Sequence, residues 1–595
     1  FNGEPEGRRA NVSKQRPCKV CRARRKGRLD AWLTSAADTI WISEVADEND
    51  RVALLTLSFD LDPWLDGTRV DSLRAQSIAD WRRFNPTLGN QDNPIGLDAP
   101  FRSLVDHIEK VGCQPWDTAK LDAVIRSLQA GFAHDQNWQV FYDKVVCDRS
   151  DVPSWNNANT DDRKRALWLA HQLFRKNASP GRTYRFWRTA EAFFAELLPR
   201  FREMVSSNPN RWGTRRLVLK ADGGGQQQWE DRETYAGRYR DAPFEVLYRA
   251  SKNDFVTICN LARVLGDHES SASLVDGLRN EPLRLTGDDG EERILTPASV
   301  QDPPDLGEYA PIIVLDHTPP RFRVLVPLSA ANACIDAALR KWEEEFARVW
   351  DRMPLHVGVV AFPRLTPFQA VIEAARSVED QLGDGDAEQW RVVEARTRDG
   401  VTSLSLARPD GVRELAVIPS RLPDGRVDAF YPFLRVQDAT VRHPRDFATP
   451  GGTVYRHVMD LRPGDGIEVA PSRVALQFMD STAVRFEPVR LIYLADWRRL
   501  RDIWALLERE APSMTALRAA WAVLATTKEN WRLPAGPAEA TAEAWSELAR
   551  SVLAERLGVR GAPLDALAEA AASGILEQAL EWYLRVLKES LEERP

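Results

Sequence analysis

Cysteine is scarce in this chain, with six in 595 residues. Four of them, Cys113, Cys147, Cys259 and Cys334, stand alone. That excludes a disulfide-built scaffold, which needs paired cysteines throughout a short chain. Long apolar runs are missing too. None approaches the roughly 18 residues of a spanning helix, and no secretory signal opens the sequence. A cytoplasmic protein without a membrane partner is expected. The net charge is −7, which argues against a generally basic nucleic-acid binder. A phosphate loop is absent as well. The glycines at 223–225 lack the Gly-Lys-Ser/Thr ending and run into Gln-Gln-Gln-Trp rather than a helix.

What the chain does contain begins with RVALLTLSFDLDPWLDG, residues 51 to 67. An apolar run ends in Asp60 and Asp62, the way a buried strand presents carboxylates to a hard cation. Upstream lies a basic cluster without a single acid: Arg8, Arg9, Lys14, Arg16, Lys19, Arg22, Arg24, Arg25, Lys26 and Arg28. Such a cluster suits phosphate contact, and Arg22, Arg24, Arg25 and Lys26 are the candidate RNA-binding residues. Cys18 and Cys21 form CKVC inside it. Zn²⁺ needs four ligands and no second CxxC follows, so this chain offers half a zinc site.

The length predicts several domains. The boundaries read as a basic zinc-knuckle remnant at 1–35, then a segment at 36–215 that holds the 52–59 strand and a helical insertion at about 97–180. A β-containing linker region follows at 216–309, a palm at 310–385, a β meander at 386–484 and a helical bundle at 485–595. Phe186, Ala190, Phe193, Leu197 and Phe201 fall on one helical stripe, which predicts a core-facing helix. APIIVLD and RFRVLVPL flank the turn HTPP as a hairpin. A helix with Ile335, Leu339, Trp342, Phe346 and Val349 on one face follows. LHVGVVAF is apolar on both faces and reads as a central strand. TPFQ opens a helix with Phe368, Val371, Ile372, Ala375 and Leu382 inward. Three Asp-Gly pairs between alternating runs (399–400, 410–411, 424–425) predict hairpins. Trp497, Leu500, Trp504 and Leu507 predict the terminal bundle, with Leu517 and Trp521 inside it. TGDDGEE at 286–292 reads as a polar loop away from any hairpin tip.

The order of CKVCRARRKGRLDAWL, TIWISEVADENDRVALLTLSFDLDPWLDG, FRVLVPLSAANACIDAALRKWEEEF and MPLHVGVVAFPRLTPFQAVIEAARSVEDQL resembles the large subunit of CRISPR type III effector complexes. It looks nearest to the divergent Csx-eleven branch of the Cas-ten family. The resemblance implies an α+β multidomain fold: two ferredoxin-like palm domains, the first at 36–215 and the second at 310–385, a β-rich region and a C-terminal helical bundle. It also implies guide RNA and target RNA, RAMP-type backbone subunits and small helical subunits as partners. Active members carry a Gly-Gly-Asp-Asp turn that makes cyclic oligoadenylate with Mg²⁺. Here that place reads HTPPRF, so Asp60, Asp62, Arg321 and Phe322 are expected to mark a degenerate palm without catalytic residues or Mg²⁺. Zn²⁺ is the expected cofactor. The family's HD nuclease precedes the zinc element, so any such domain would lie before Phe1. His134-Asp135, the one His-Asp dipeptide, sits in the insertion. The expectation is a large scaffold subunit for RNA-guided antiviral defence whose palm has lost oligoadenylate synthesis. The alternative is a catalytically active palm-type nucleotidyl cyclase or polymerase, with Asp60 and Asp62 binding Mg²⁺.

Overall fold

The computed structural model describes Leu29, Trp32 and residues 38–65, 180–207, 215–221, 229–265, 271–302, 309–383 and 387–587, the last with short interruptions. These residues form an α+β architecture of three sheets and twelve helices. The chain starts with α1 (Ile42–Val45), β1 (Arg51–Phe59), α2 (Asp62–Leu65) and the long α3 (Pro180–Ser206). Next come β2 (Val218–Ala221), β3 (Thr234–Tyr239), β4 (Ala242–Arg249), β5 (Asp254–Thr257), α4 (Ala262–Leu265) and α5 (Ser271–Leu278). Strands β6 (Leu283–Thr286), β7 (Glu292–Leu295) and β8 (Pro297–Gln301) close this unit.

Its sheet runs β7-β6-β3-β4-β5-β2-β8. β7 and β8 end that order, yet only Thr296 separates them in the chain. The two edges therefore meet at this residue, and the sheet curls into a barrel-like shape around Leu217, Phe244, Val246, Leu274 and Leu285. The stretch read as a linker is a unit with its own core. TGDDGEE is corrected here: it spans the β6–β7 hairpin, whose strands pair from Thr286↔Glu292 to Leu283↔Leu295. Its Asp289 is held by Arg293 at 2.6 Å.

The central sheet takes β9 (Ile313–Thr318), β10 (Arg321–Pro327) and β11 (Leu355–Pro363), with α6 (Ala331–Phe346) before β11 and α7 (Phe368–Gly383) after it. Two later strands, β19 (Arg473–Phe478) and β20 (Arg490–Tyr493), extend it to the order β20-β19-β11-β1-β10-β9. β1 pairs antiparallel with both neighbours, Leu55 facing Val324 on one side and Val359 on the other. This changes the domain reading. The strand at 51–59 and the hairpin at 310–328 were divided between two palms, but they are neighbours in one sheet. The period of two in a strand explains the apolar run. Ala53, Leu55, Leu57 and Phe59 face α3 and α6, while Val52 and Leu54 face α7. Phe59 meets Phe193, Phe194 and Phe346 with ring centroids 5.0 to 5.2 Å apart, each pair adding about 0.5–1.5 kcal/mol beyond area burial. α7 approaches so closely that a Cβ on Gly358 would lie 2.7 Å from Val378 Cγ1. Phe368, expected inward, is 40% exposed, because the face that packs is Ala370, Val371, Ala374, Ala375, Val378 and Leu382.

The third sheet contains β12 (Glu388–Arg398), β13 (Val401–Ala407), β14 (Arg413–Pro419), β15 (Phe433–Val436), β16 (Phe447–Ala448), β17 (Val454–His457) and β18 (Gly466–Val469). Its order is β14-β13-β12-β18-β15-β17-β16. Asp399 and Gly400 both adopt positive φ, 51° and 82°, as a tight β12–β13 turn demands.

The terminal helices are α8 (Leu494–Glu510), α9 (Met514–Trp531), α10 (Glu539–Leu557), α11 (Ala562–Ala572) and α12 (Ile575–Leu580), which continues into a π-helical turn at Glu581–Leu587. Trp497, Leu500, Trp504 and Leu507 are buried as expected, and Leu517 with them. Trp504 stacks on Tyr583 at 4.8 Å. This helical region is not a separate body, since its residues continue the cluster that holds Phe59 and α3. The buried Arg51 donates to the carbonyl oxygens of Val586 and, at 2.6 Å, Leu587. The start of β1 is thereby tied to the last described turn.

Candidate functional site

The residues that would bear nucleotidyl chemistry meet at one end of the central sheet. Ser58 is in register with Arg321, and the Phe59 N–H donates to the Pro320 carbonyl at 3.0 Å. The end of β1, where Asp60 follows, is thus brought to the tip of the β9–β10 hairpin. Asp62 opens α2 and is exposed, while Trp64 of that helix is buried and donates its indole N–H to Arg352 O at 3.0 Å.

The hairpin tip carries different chemistry from an acidic turn. Thr318 pairs with Arg321, so Pro319 and Pro320 alone make the turn. Proline has no backbone N–H, so the tip offers no main-chain donor to a phosphate. Arg321 pairs with Asp316 at 2.7 Å and Glu379 at 3.4 Å, and Arg323 Nε donates to Glu379 at 2.6 Å. Arg321 and Arg323 balance Asp316 and Glu379, so these four side chains add no net acidic charge beside Asp60. Arg321, expected to mark a degenerate palm, is a charge matched by its carboxylate partners. Among the described residues, no group of three or more His, Cys, Asp or Glu side chains is placed to hold a metal ion.

Phe322 is a core residue. It is fully buried, with ring centroids 5.7 Å from Phe194 and 6.0 Å from Phe201. Alternation explains the split: Arg321 and Arg323 point to the α7 side, and Phe322 between them points to α3. Cys18, Cys21, Arg22, Arg24, Arg25 and Lys26 lie outside the described residues, as do His134 and Asp135. Cys259 and Cys334 are buried free thiols. Burial pushes both thiols up, Cys259 to about 12, so they serve as small apolar residues.

A second polar centre escaped the sequence reading. Arg408 is buried between the third sheet and α8, bonded to Asp410 at 2.7 Å and Asp496 at 2.8 Å. Glu414 lies 3.4 Å away, and the Tyr493 ring lies 3.9 Å from the guanidinium. Burial, offset in part by Arg408, pushes the Glu414 carboxyl up to about 7. Arg408, Glu414, Tyr493 and Asp496 border a cleft of about 630 Å³ between β14, α6 and α8. The Arg408-Pro-Asp-Gly turn was visible as a hairpin signal, but nothing local announces Asp496, 88 residues on.

The arginines of α8 are also engaged. Arg498 pairs with Glu343 at 2.7 Å, Arg501 with Asp336 and Arg499 with Asp496 at 3.3 Å. The first two fasten α8 to α6. No known protein family, curated protein or solved structure matches this chain. No helix among the described residues is long and apolar enough to cross a membrane.

Proposed function

We propose that the chain is the large scaffold subunit of an RNA-guided CRISPR type III interference complex. In this reading its palm frames the assembly and performs no nucleotidyl transfer. The observation that carries the reading is the connectivity β1–α3–β9–β10–α6–β11 with the strand order β9-β10-β1-β11. Two strand–helix–strand crossovers with antiparallel neighbours are the arrangement expected of a ferredoxin-like palm, and this supports the palm that the ordered sequence resemblance calls for. The departure is local: Pro319-Pro320 stands at the hairpin tip beside Asp60. Two-metal chemistry needs carboxylates from both elements around the ions, and the hairpin contributes arginines whose charge is already matched. Guide and target RNA, RAMP-type backbone subunits and small helical subunits are the partners this role requires. Zinc at Cys18 and Cys21, completed by further ligands, is part of the same proposal.

The test is purification of the full-length protein from its native host, with sequencing of any bound RNA and identification of attached subunits. RNA of a defined length, together with repeated backbone subunits, is the expected result. A protein that emerges alone and free of RNA refutes the role.

A further inference from the structure

The outer face of the β12–β13–β14 meander carries three parallel rows of side chains. Trp390, Val392, Leu404, Leu406, Ala416 and Ile418 point into the core, so their neighbours in sequence point away from it. Arg391, Ala407 and Arg413 form one rung across the three strands. Next come Glu394, Ser405 and Leu415, then Arg396, Ser403 and Val417. The middle row is small, the β12 row is mostly arginine, and the β14 row adds aliphatic side chains that are strongly exposed, Leu415 at 68% and Val417 at 52%.

Two features of this face point to an anion. Arg391 and Arg413 are exposed, and among the described residues neither guanidinium has an ion-pair or hydrogen-bond partner. They flank Ala407, with their backbones about 10 Å apart. An anion resting over Ala407 is within reach of both. Among the described residues Arg396 and Arg398 have only local partners, Glu394 at 2.5 Å and Asp399 at 3.2 Å, and such exposed pairs exchange readily for a phosphate. The surplus of positive charge here stands on a chain whose net charge is −7.

The β14 side supplies what a ribose and base need. Beyond Leu415 and Val417 the face opens into the cleft of about 630 Å³, which Trp350 and Arg499 also line. Its size is in the range that admits a nucleotide. An open basic groove beside an apolar wall with a ring at its end is how single strands are held without sequence preference.

We infer that this face binds single-stranded RNA, its phosphates on the Arg391–Ala407–Arg413 rung and its bases toward Leu415, Val417 and the cleft. The inference rests on the RNA-binding role proposed above and names a surface for it, distinct from the basic cluster near the N-terminus. A protein partner lying on Leu415 and Val417 is the competing occupant, and the test separates the two.

Full-length protein is mixed with a fluorescein-labelled oligouridylate of about 15 nucleotides, long enough to fill such a groove, and binding is read by anisotropy across a salt series. Phenylglyoxal modification of arginines, mapped by mass spectrometry with and without RNA, reports the site. Arg391 and Arg413 should be protected by RNA, while the distant exposed Arg376 and Arg518 should be modified equally in both. The double variant Arg391→Gln/Arg413→Gln should lose about tenfold or more in affinity, because each removes a charged hydrogen bond. Its salt slope should fall by about 1.4, at about 0.7 per phosphate contact on a single strand. Arg376→Gln/Arg518→Gln, matched in charge, should change neither. RNA that binds while Arg391 and Arg413 stay equally reactive overturns the surface and leaves the RNA-binding role standing. Loss of an attached subunit from Leu415→Ser/Val417→Ser protein, with RNA protection absent, assigns the face to a protein and also overturns it. No RNA binding by the full-length protein defeats both.

Discussion

Replacing Phe322 by Ala tests whether the β9–β10 hairpin is a structural part of the core or the tip of a working site. The ring is fully buried, stacked on Phe194 and tilted against Phe201, and paired across the sheet with Leu57. Removing it forfeits the transfer energy of an aromatic side chain and leaves a cavity that neighbouring β1 and α3 cannot fill. Such truncations cost about 3–5 kcal/mol. Arg321→Ala, one residue away, removes two partly exposed ion pairs and should cost about 0–1 kcal/mol. Phe322→Leu keeps most of the volume and should stay below about 1.5 kcal/mol. In a scanning-calorimetry trace, the transition containing the central sheet should fall by roughly 2–4 °C per kcal/mol for a unit of this size. That predicts about 6–20 °C for Phe322→Ala and no more than about 4 °C for Arg321→Ala. Equal, small shifts for both would show that Phe322 is not packed, and the structural reading of the hairpin would be wrong.

Glu414 gives a pH signature. Its carboxyl titrates near 7 when folded and near its ordinary value when unfolded, so the folded chain holds a proton that the unfolded chain has released in between. Stability therefore falls as pH rises from about 4.5 to about 7, by at most about 3 kcal/mol, and levels off above. Urea unfolding of Glu414→Gln beside the parent should show this component of the slope removed; parallel pH profiles would refute the assignment. Gly358→Val should cost about 1–3 kcal/mol by forcing α7 away from the sheet, read as a lowered urea midpoint, and an unchanged midpoint would show the contact to be loose. Metal analysis of full-length protein should find about one Zn²⁺ per chain, released when Cys18 and Cys21 are both replaced by Ser. Finally, Arg22→Glu/Arg24→Glu/Arg25→Glu should weaken RNA binding alike across sequences and reduce its salt dependence, whereas unchanged affinity would mark the cluster as solvated surface.

Much of the architecture was legible because it rests on period and punctuation. The 3.6-residue stripe of α3 foretold Phe193, Leu197 and Phe201, all fully buried. The apolar run of LHVGVVAF foretold a strand between two others, and β11 lies between β1 and β19. Asp399-Gly400 foretold its hairpin through the φ values only such a pair adopts easily. What failed depended on distance along the chain. β1 and β10 pair across more than 260 residues, and no local pattern states that pairing, so one sheet was read as two domains. The same limit hid Arg408–Asp496 and Arg51's grip on Leu587. Phe368 misled for a different reason. A residue in the first helical turn shares the helical period without yet facing the sheet. At the site, Pro319 and Pro320 were informative because proline's missing N–H is a property of the residue alone. The balancing of Arg321 and Arg323 by Asp316 and Glu379 needed the fold.

In the proposed role the central sheet frames an assembly and transfers no nucleotides. Labelled ATP and Mg²⁺, added to the native complex with target RNA, test it most directly by chromatography of the products. ATP recovered intact, with no oligoadenylate above the level of an Asp60→Ala complex, is the predicted result. Oligoadenylate that accumulates in the parent complex and disappears in Asp60→Ala would contradict it, and would make Asp60 a metal ligand in an active site.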